Sequence, residues 1–93
     1  MSGEYQTLDF TVTFLETFAA KDFAAADRKA ILKALRLLDM NEQHPSLRVH
    51  KLEGDRAGSW SASASASASL RLVFERVGER RKRLLTCSKH YDR

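Results

Sequence analysis

The 93-residue chain is poor in the residues that build covalent or metal frameworks, with one cysteine, one proline and four glycines. A lone cysteine, Cys87, cannot close an internal disulfide and agrees with a reducing compartment. The thiol itself reads as a small, buried apolar group within a strand. No run of about 18 apolar residues is present, which excludes a membrane-spanning helix. The opening MSGEYQTLDF has neither the basic start nor the apolar run of a signal peptide, and the expected location is the cytoplasm. Phosphate-cradling glycine loops, CxxC and HExxH metal spacings and the GxSxG nucleophile turn are all missing. Three histidines, a C-terminal tyrosine and several arginines are left as candidates for chemistry.

What is present is globular in character: 43% of residues are apolar and 30% charged. A chain of this length buries only about 60 to 65% of its unfolded surface, so one domain spanning residues 1–93 is expected. The net charge of +4 is unevenly spread. Residues 1–47 carry five basic against seven acidic side chains, net −2, and residues 48–93 carry eleven against five, net +6. A basic second half either attracts phosphate backbones or an acidic partner, or is a solvated face.

Along the chain, Leu8, Phe10 and Val12 alternate with Thr7, Asp9 and Thr11, which predicts a half-buried strand over Tyr5 to Val12. From Thr13 the spacing of Phe14, Leu15 and Phe18 predicts a short helix ending near Lys21. Asp22 offers an N-cap for a longer helix whose apolar stripe is Ala30, Ile31, Ala34, Leu35 and Leu38. Asp27 falls on that stripe, a small misfit that suits the helix dipole. Pro45 ends the helical region. LRVHKL is then a short extended segment, LRLVFERV a strand and RLLTCS a last strand ending in KHYDR. The order predicts an α+β domain: an N-terminal strand, then a two-helix hairpin packed on one face of a mainly antiparallel four-stranded sheet. Residues 61–69 read SASASASAS. Alanine and serine are poor strand formers, so in isolation this repeat suits a linker.

Among the candidates, His44 sits beside Pro45 as a loop histidine. His50 lies on the extended segment with Arg48 and Lys51, and His90 and Tyr91 follow the last strand. Alternation sets Leu70, Leu72 and Phe74 on one sheet face and Arg71, Val73 and Glu75 on the other. Arg71 is either a solvated side chain paired to a neighbouring strand or a fixed fork for a phosphate. Glu75 is a poor partner for it, being separated by four residues of strand, roughly 13 Å.

Four stretches in order, HKLEG, Trp60-Ser61, LRLVF and CSKHY, resemble the RelE/ParE superfamily of bacterial toxins, and the similarity covers nearly the whole chain. It is closest to the RelE, YoeB and YafQ branches, whose members cleave mRNA in the ribosomal A site and are neutralised by an antitoxin. The resemblance implies a RelE-like fold, a ribosome-dependent endoribonuclease without metal or other cofactor, and as partners an antitoxin, the ribosome and mRNA. It places His50, Arg71, His90 and Tyr91 in the catalytic site, with Arg71 on the scissile phosphate and one histidine each as base and acid. Arg48, Lys51, Arg83 and Lys89 are the cations expected to bind RNA phosphates. One departure stands out: where YoeB has a glutamate, this chain has Ser46, so a histidine takes the part of base. A gyrase inhibitor of the ParE branch and a non-catalytic RNA-binding module are the rival readings. The same resemblance recasts SASASASAS as a hairpin, with the end of one strand, a turn near Ser65 and Ala66, and the start of the next.

Overall fold

The computed structural model describes residues 5–20, 23–54, 58–65 and 69–89. Within them the chain runs β1 (Leu8–Phe10), α1 (Val12–Phe18), α2 (Ala25–Met40), a 3-10 turn (Pro45–Leu47), β2 (His50–Lys51), β3 (Ser59–Ser63), β4 (Leu70–Arg76) and β5 (Lys82–Lys89). The α+β class and the helix-then-strand order are as expected. The first strand is shorter than the alternation predicts, because Thr11 leaves it to cap a helix. Its hydroxyl accepts the Phe14 N–H at 3.0 Å, and α1 begins one residue later. Asp22, the expected cap of α2, lies outside the described residues. The residue that does the work is Asp27, whose Oδ2 accepts the Ala24 N–H at 2.9 Å. Its position on the apolar side, a misfit in the sequence, is explained by a second bond from Lys89 Nζ at 2.8 Å.

The sheet has five strands among the described residues, in the order β1-β5-β4-β3-β2, and it is mixed. It departs from the expected four-stranded, mainly antiparallel sheet in two ways, by one added strand and by one parallel pair. His50 and Lys51 pair with Ser61 and Trp60 as a two-residue edge strand, and β1 lies parallel to β5, Leu8 opposite Lys82. The two helices carry the chain from β1 to β2 at the opposite edge of the sheet, and the antiparallel connections that follow bring it back until β5 lies beside β1. Since β1 covers only Lys82 to Leu84, the rest of that β5 edge is closed by side chains. Thr11 Oγ1 donates to Leu84 O at 2.9 Å, and Thr17 Oγ1 accepts the Cys87 N–H at 3.1 Å.

Helices cover one face of the sheet. Ile31, Ala34, Leu35 and Leu38 of α2 and Phe14 of α1 are buried with Ala62, Leu70, Leu72, Phe74, Leu84 and Cys87. No helix among the described residues is long and apolar enough to cross a membrane.

The repeat is part of the sheet at its start. Ser61, Ala62 and Ser63 belong to β3 and face Val73, Leu72 and Arg71 of β4, and Ala64 N–H continues the ladder to Leu70 O at 2.7 Å. The hairpin reading therefore holds for these residues, while Ala66, expected in the turn, lies outside the described ones.

Candidate active site on the open sheet face

The face turned away from the helices is assembled from rows that the strand register defines. Arg71 stands between Ser63 and Ser88, Val73 between Ser61 and Thr86, and Glu75 between Ser59 and Arg83. Ser61 also pairs with His50, which brings that histidine onto the same face. Two strand spacings across and two residues along put the Cα atoms of His50 and Arg71 about 12 Å apart. Both side chains are exposed. A phosphodiester group fits between a long arginine and an imidazole approaching from such positions.

A β-bulge makes this face possible. Pairing shifts between Val73, opposite Thr86, and Phe74, opposite Leu84, leaving Leu85 as the extra residue. Leu84 and Cys87 both reach the core across it. Strict alternation from Leu84 would instead have sent Thr86 and Ser88 into the core and Cys87 outward.

His50 is held in one tautomer. Its Nδ1 lies 3.0 Å from Arg48 O, and since a carbonyl only accepts, Nδ1 carries the proton and donates. The neutral ring then keeps its lone pair on Nε2, the form a general base requires. Arg48 itself adopts a left-handed conformation (φ 48°, ψ 48°) that ends the 3-10 turn. His44 has the opposite assignment: its Nδ1 accepts the Ser46 N–H at 3.2 Å and caps the same turn.

The other expected cations divide between the two faces. Arg83 lies on the open face, where its Nη1 bonds Glu75 at 2.9 Å. Lys51 and Lys89 are turned the other way by alternation: Lys51 Nζ lies 5.6 Å from the Trp60 ring centre, and Lys89 bonds Asp27 of α2. Arg48 is exposed at the mouth of a cleft of about 490 Å³ between α2, the 3-10 turn and the end of β3. His90 and Tyr91 lie outside the described residues.

No protein-family model and no curated protein matches the sequence. Solved structures do match. A YoeB/ParE toxin from Agrobacterium tumefaciens shares 23% identity over 92% of this chain and 100% of its own, with a TM-score of 0.70. The chain has the fold of the RelE/YoeB/YafQ toxin superfamily. YafQ from E. coli strain BL21(DE3) superposes with a TM-score of 0.68 at 15% identity, over 90% of this chain and 93% of that one. A chain of a heterotetrameric YoeB–YefM toxin–antitoxin complex from Staphylococcus aureus gives 0.65 at 21% identity, over 91% of this chain and 97% of its own.

Within this RelE/YoeB-type fold, one charged group was not legible as such in the sequence. Lys82 belongs to the polar run ERRKR yet is only 3% exposed. Its Nζ bonds Glu42 at 3.2 Å and Arg80 O at 3.0 Å, and Glu42 also pairs with Arg76. The Arg76 hydrogen bond, opposed by burial and aided by Lys82, holds the Glu42 carboxyl below the ordinary glutamate range. Arg76 in turn lies 4.4 Å over Trp60. The loop leading to His50 is thereby tied at Glu42 to β4 and β5. Counting alternation back from Leu84 would have placed Lys82 on the buried side.

Proposed function

We propose that the chain is a single toxin domain of a toxin–antitoxin pair, acting in the cytoplasm as a ribosome-dependent endoribonuclease on mRNA. The observation that carries this reading is the placement of His50, with its Nε2 lone pair, and Arg71 on one open face. His50 takes the proton from a ribose 2′-hydroxyl, and the oxygen attacks the adjacent phosphorus. The bond to the 5′-oxygen breaks as that oxygen gains a proton from an acid, the role assigned to His90. The products are a 2′,3′-cyclic phosphate and a 5′-hydroxyl. Arg71 stabilises the additional negative charge on the pentacovalent phosphorus. Tyr91 orients the phosphate or stacks on a base. Arg48 and Arg83 add positive potential around the strand. Fold similarity to toxins solved with their antitoxins supports an antitoxin partner, whose acidic segment would neutralise the basic half of this chain.

The test compares purified protein with mRNA on translating ribosomes, with mRNA alone, and with gyrase in a supercoiling assay. Cleavage in the first mixture only is expected, and loss of supercoiling activity without cleavage would overturn the reading. Arg71→Ala should be folded and should no longer arrest growth, with cleavage reduced about 10² to 10³-fold.

A further inference from the structure

Two hydroxyls on the open face have no role in holding the fold. Ser61 and Ser63 are 3% and 9% exposed, and neither side chain has a hydrogen-bond partner among the described residues. Every described side-chain oxygen or nitrogen that is fully closed to solvent does have one. The two hydroxyl oxygens therefore retain a narrow opening, and alternation directs it onto the face of His50 and Arg71. Ser61 is opposite His50 and Ser63 is opposite Arg71, so a hydroxyl stands beside each of the two groups.

Folding alone does not call for serine here. An alanine would occupy the same space, break no bond, and spare the desolvation of a polar group. The chain does use alanine at the helix-facing position between them, where Ala62 is fully buried. The two serines are about 6.6 Å apart along the strand, comparable to the spacing of successive phosphates in an extended single strand.

We infer that Ser61 and Ser63 are substrate-binding residues, donating hydrogen bonds to phosphodiester oxygens of an RNA strand laid across the open face between His50 and Arg71. The inference rests on the nuclease reading and adds two neutral donors to it. They hold the strand close to the sheet, so the scissile phosphate meets both the imidazole and the guanidinium. An acidic peptide would exploit the cations but has no repeating tetrahedral oxygens to match the two hydroxyls.

The experiment measures binding of a fluorescent single-stranded RNA hexamer carrying 2′-O-methyl groups, which cannot be cleaved, to the full chain. Wild type is compared with Ser61→Ala, Ser63→Ala and the double variant. Each single change is expected to weaken binding about 5- to 10-fold, and the double change about 30-fold or more, with thermal stability unchanged or raised. Wild-type affinity in the double variant, or no binding of the hexamer by wild type, overturns the inference. So does a hexaglutamate peptide that binds as tightly and is equally sensitive to the substitutions. Cleavage on ribosomes, followed in parallel, separates the two ideas. Cleavage with serine-independent binding removes only this inference, whereas serine-dependent binding without cleavage removes only the nuclease.

Discussion

His44 and His50 lie on either side of one 3-10 turn and use their rings in opposite ways. The Nδ1 of His44 accepts a backbone N–H, and that of His50 donates to a carbonyl. Local sequence cannot distinguish the two, since each is a histidine two residues from its partner. His50→Ala is expected to reduce cleavage about 10² to 10⁴-fold with little change in urea unfolding. His44→Ala should show the reverse, a loss of about 0.5 to 1 kcal/mol from the lost cap with cleavage retained, and assaying both variants for both properties checks the assignment. Arg71 was legible because a lone charge interrupts an apolar strand. Ser61 and Ser63 were not, because a serine becomes notable only when its burial and missing partner are known.

The elements followed from periodicity wherever one face is buried. Ile31, Ala34, Leu35 and Leu38 form the stripe of α2 that the spacing predicts, and Leu38→Ala should cost about 2 to 5 kcal/mol in chemical unfolding. Alternation failed at the bulge. Deleting Leu85 removes the extra residue and leaves Leu84, Cys87 and Lys89 facing the helices and Thr86 and Ser88 facing the open side, so the register to β4 and the Lys89–Asp27 bond should be kept. Burial raises the pKa of the Cys87 thiol, so wild type is expected to react slowly with a disulfide reagent. The deletion variant should keep a slowly reacting thiol, and a thiol reacting at the rate of the unfolded chain would show that the register had slipped instead. The Glu42 tie is likewise a property of elements meeting. Glu42→Gln leaves the buried Lys82 without its carboxylate, a loss of about 2 kcal/mol that Lys82→Met in the same chain should largely recover. Comparing the single and double variants in urea measures this coupling.

At the scale of the molecule, the first strand is held to the end of α2 by one carboxylate. Asp39 accepts the Gln6 N–H at 3.0 Å, the Thr7 N–H at 2.6 Å and the Thr7 hydroxyl at 2.7 Å. Burial opposes its ionisation, but these bonds prevail and hold the carboxyl below the ordinary aspartate value of 3.8. Glu42 is lowered in the same direction. A carboxyl whose folded pKa is depressed adds stability that is fully present above its unfolded pKa and lost as pH falls through the folded one. Unfolding free energy should therefore decline below about pH 4.5, through the ordinary carboxylate range. Asp39→Asn, with one acceptor oxygen in place of two, should be about 1 kcal/mol weaker at pH 7, and its gap to wild type should close on acidification. Denaturant titrations at neutral and acid pH decide this.

The element types, their order, the apolar faces of α2 and β4 and the prominence of His50 and Arg71 were determined by the sequence itself, because periodicity, capping and turn chemistry act over a few residues. Tertiary structure alone decided that β1 runs parallel beside β5, that a bulge at Leu85 reverses the faces of the last strand, and that Glu42 is the partner of Lys82. It also decided which hydroxyls of the SASASASAS repeat stand beside Arg71. Each of these depends on pairing between residues far apart in the chain, whose register is set by the shared core and has no local signature.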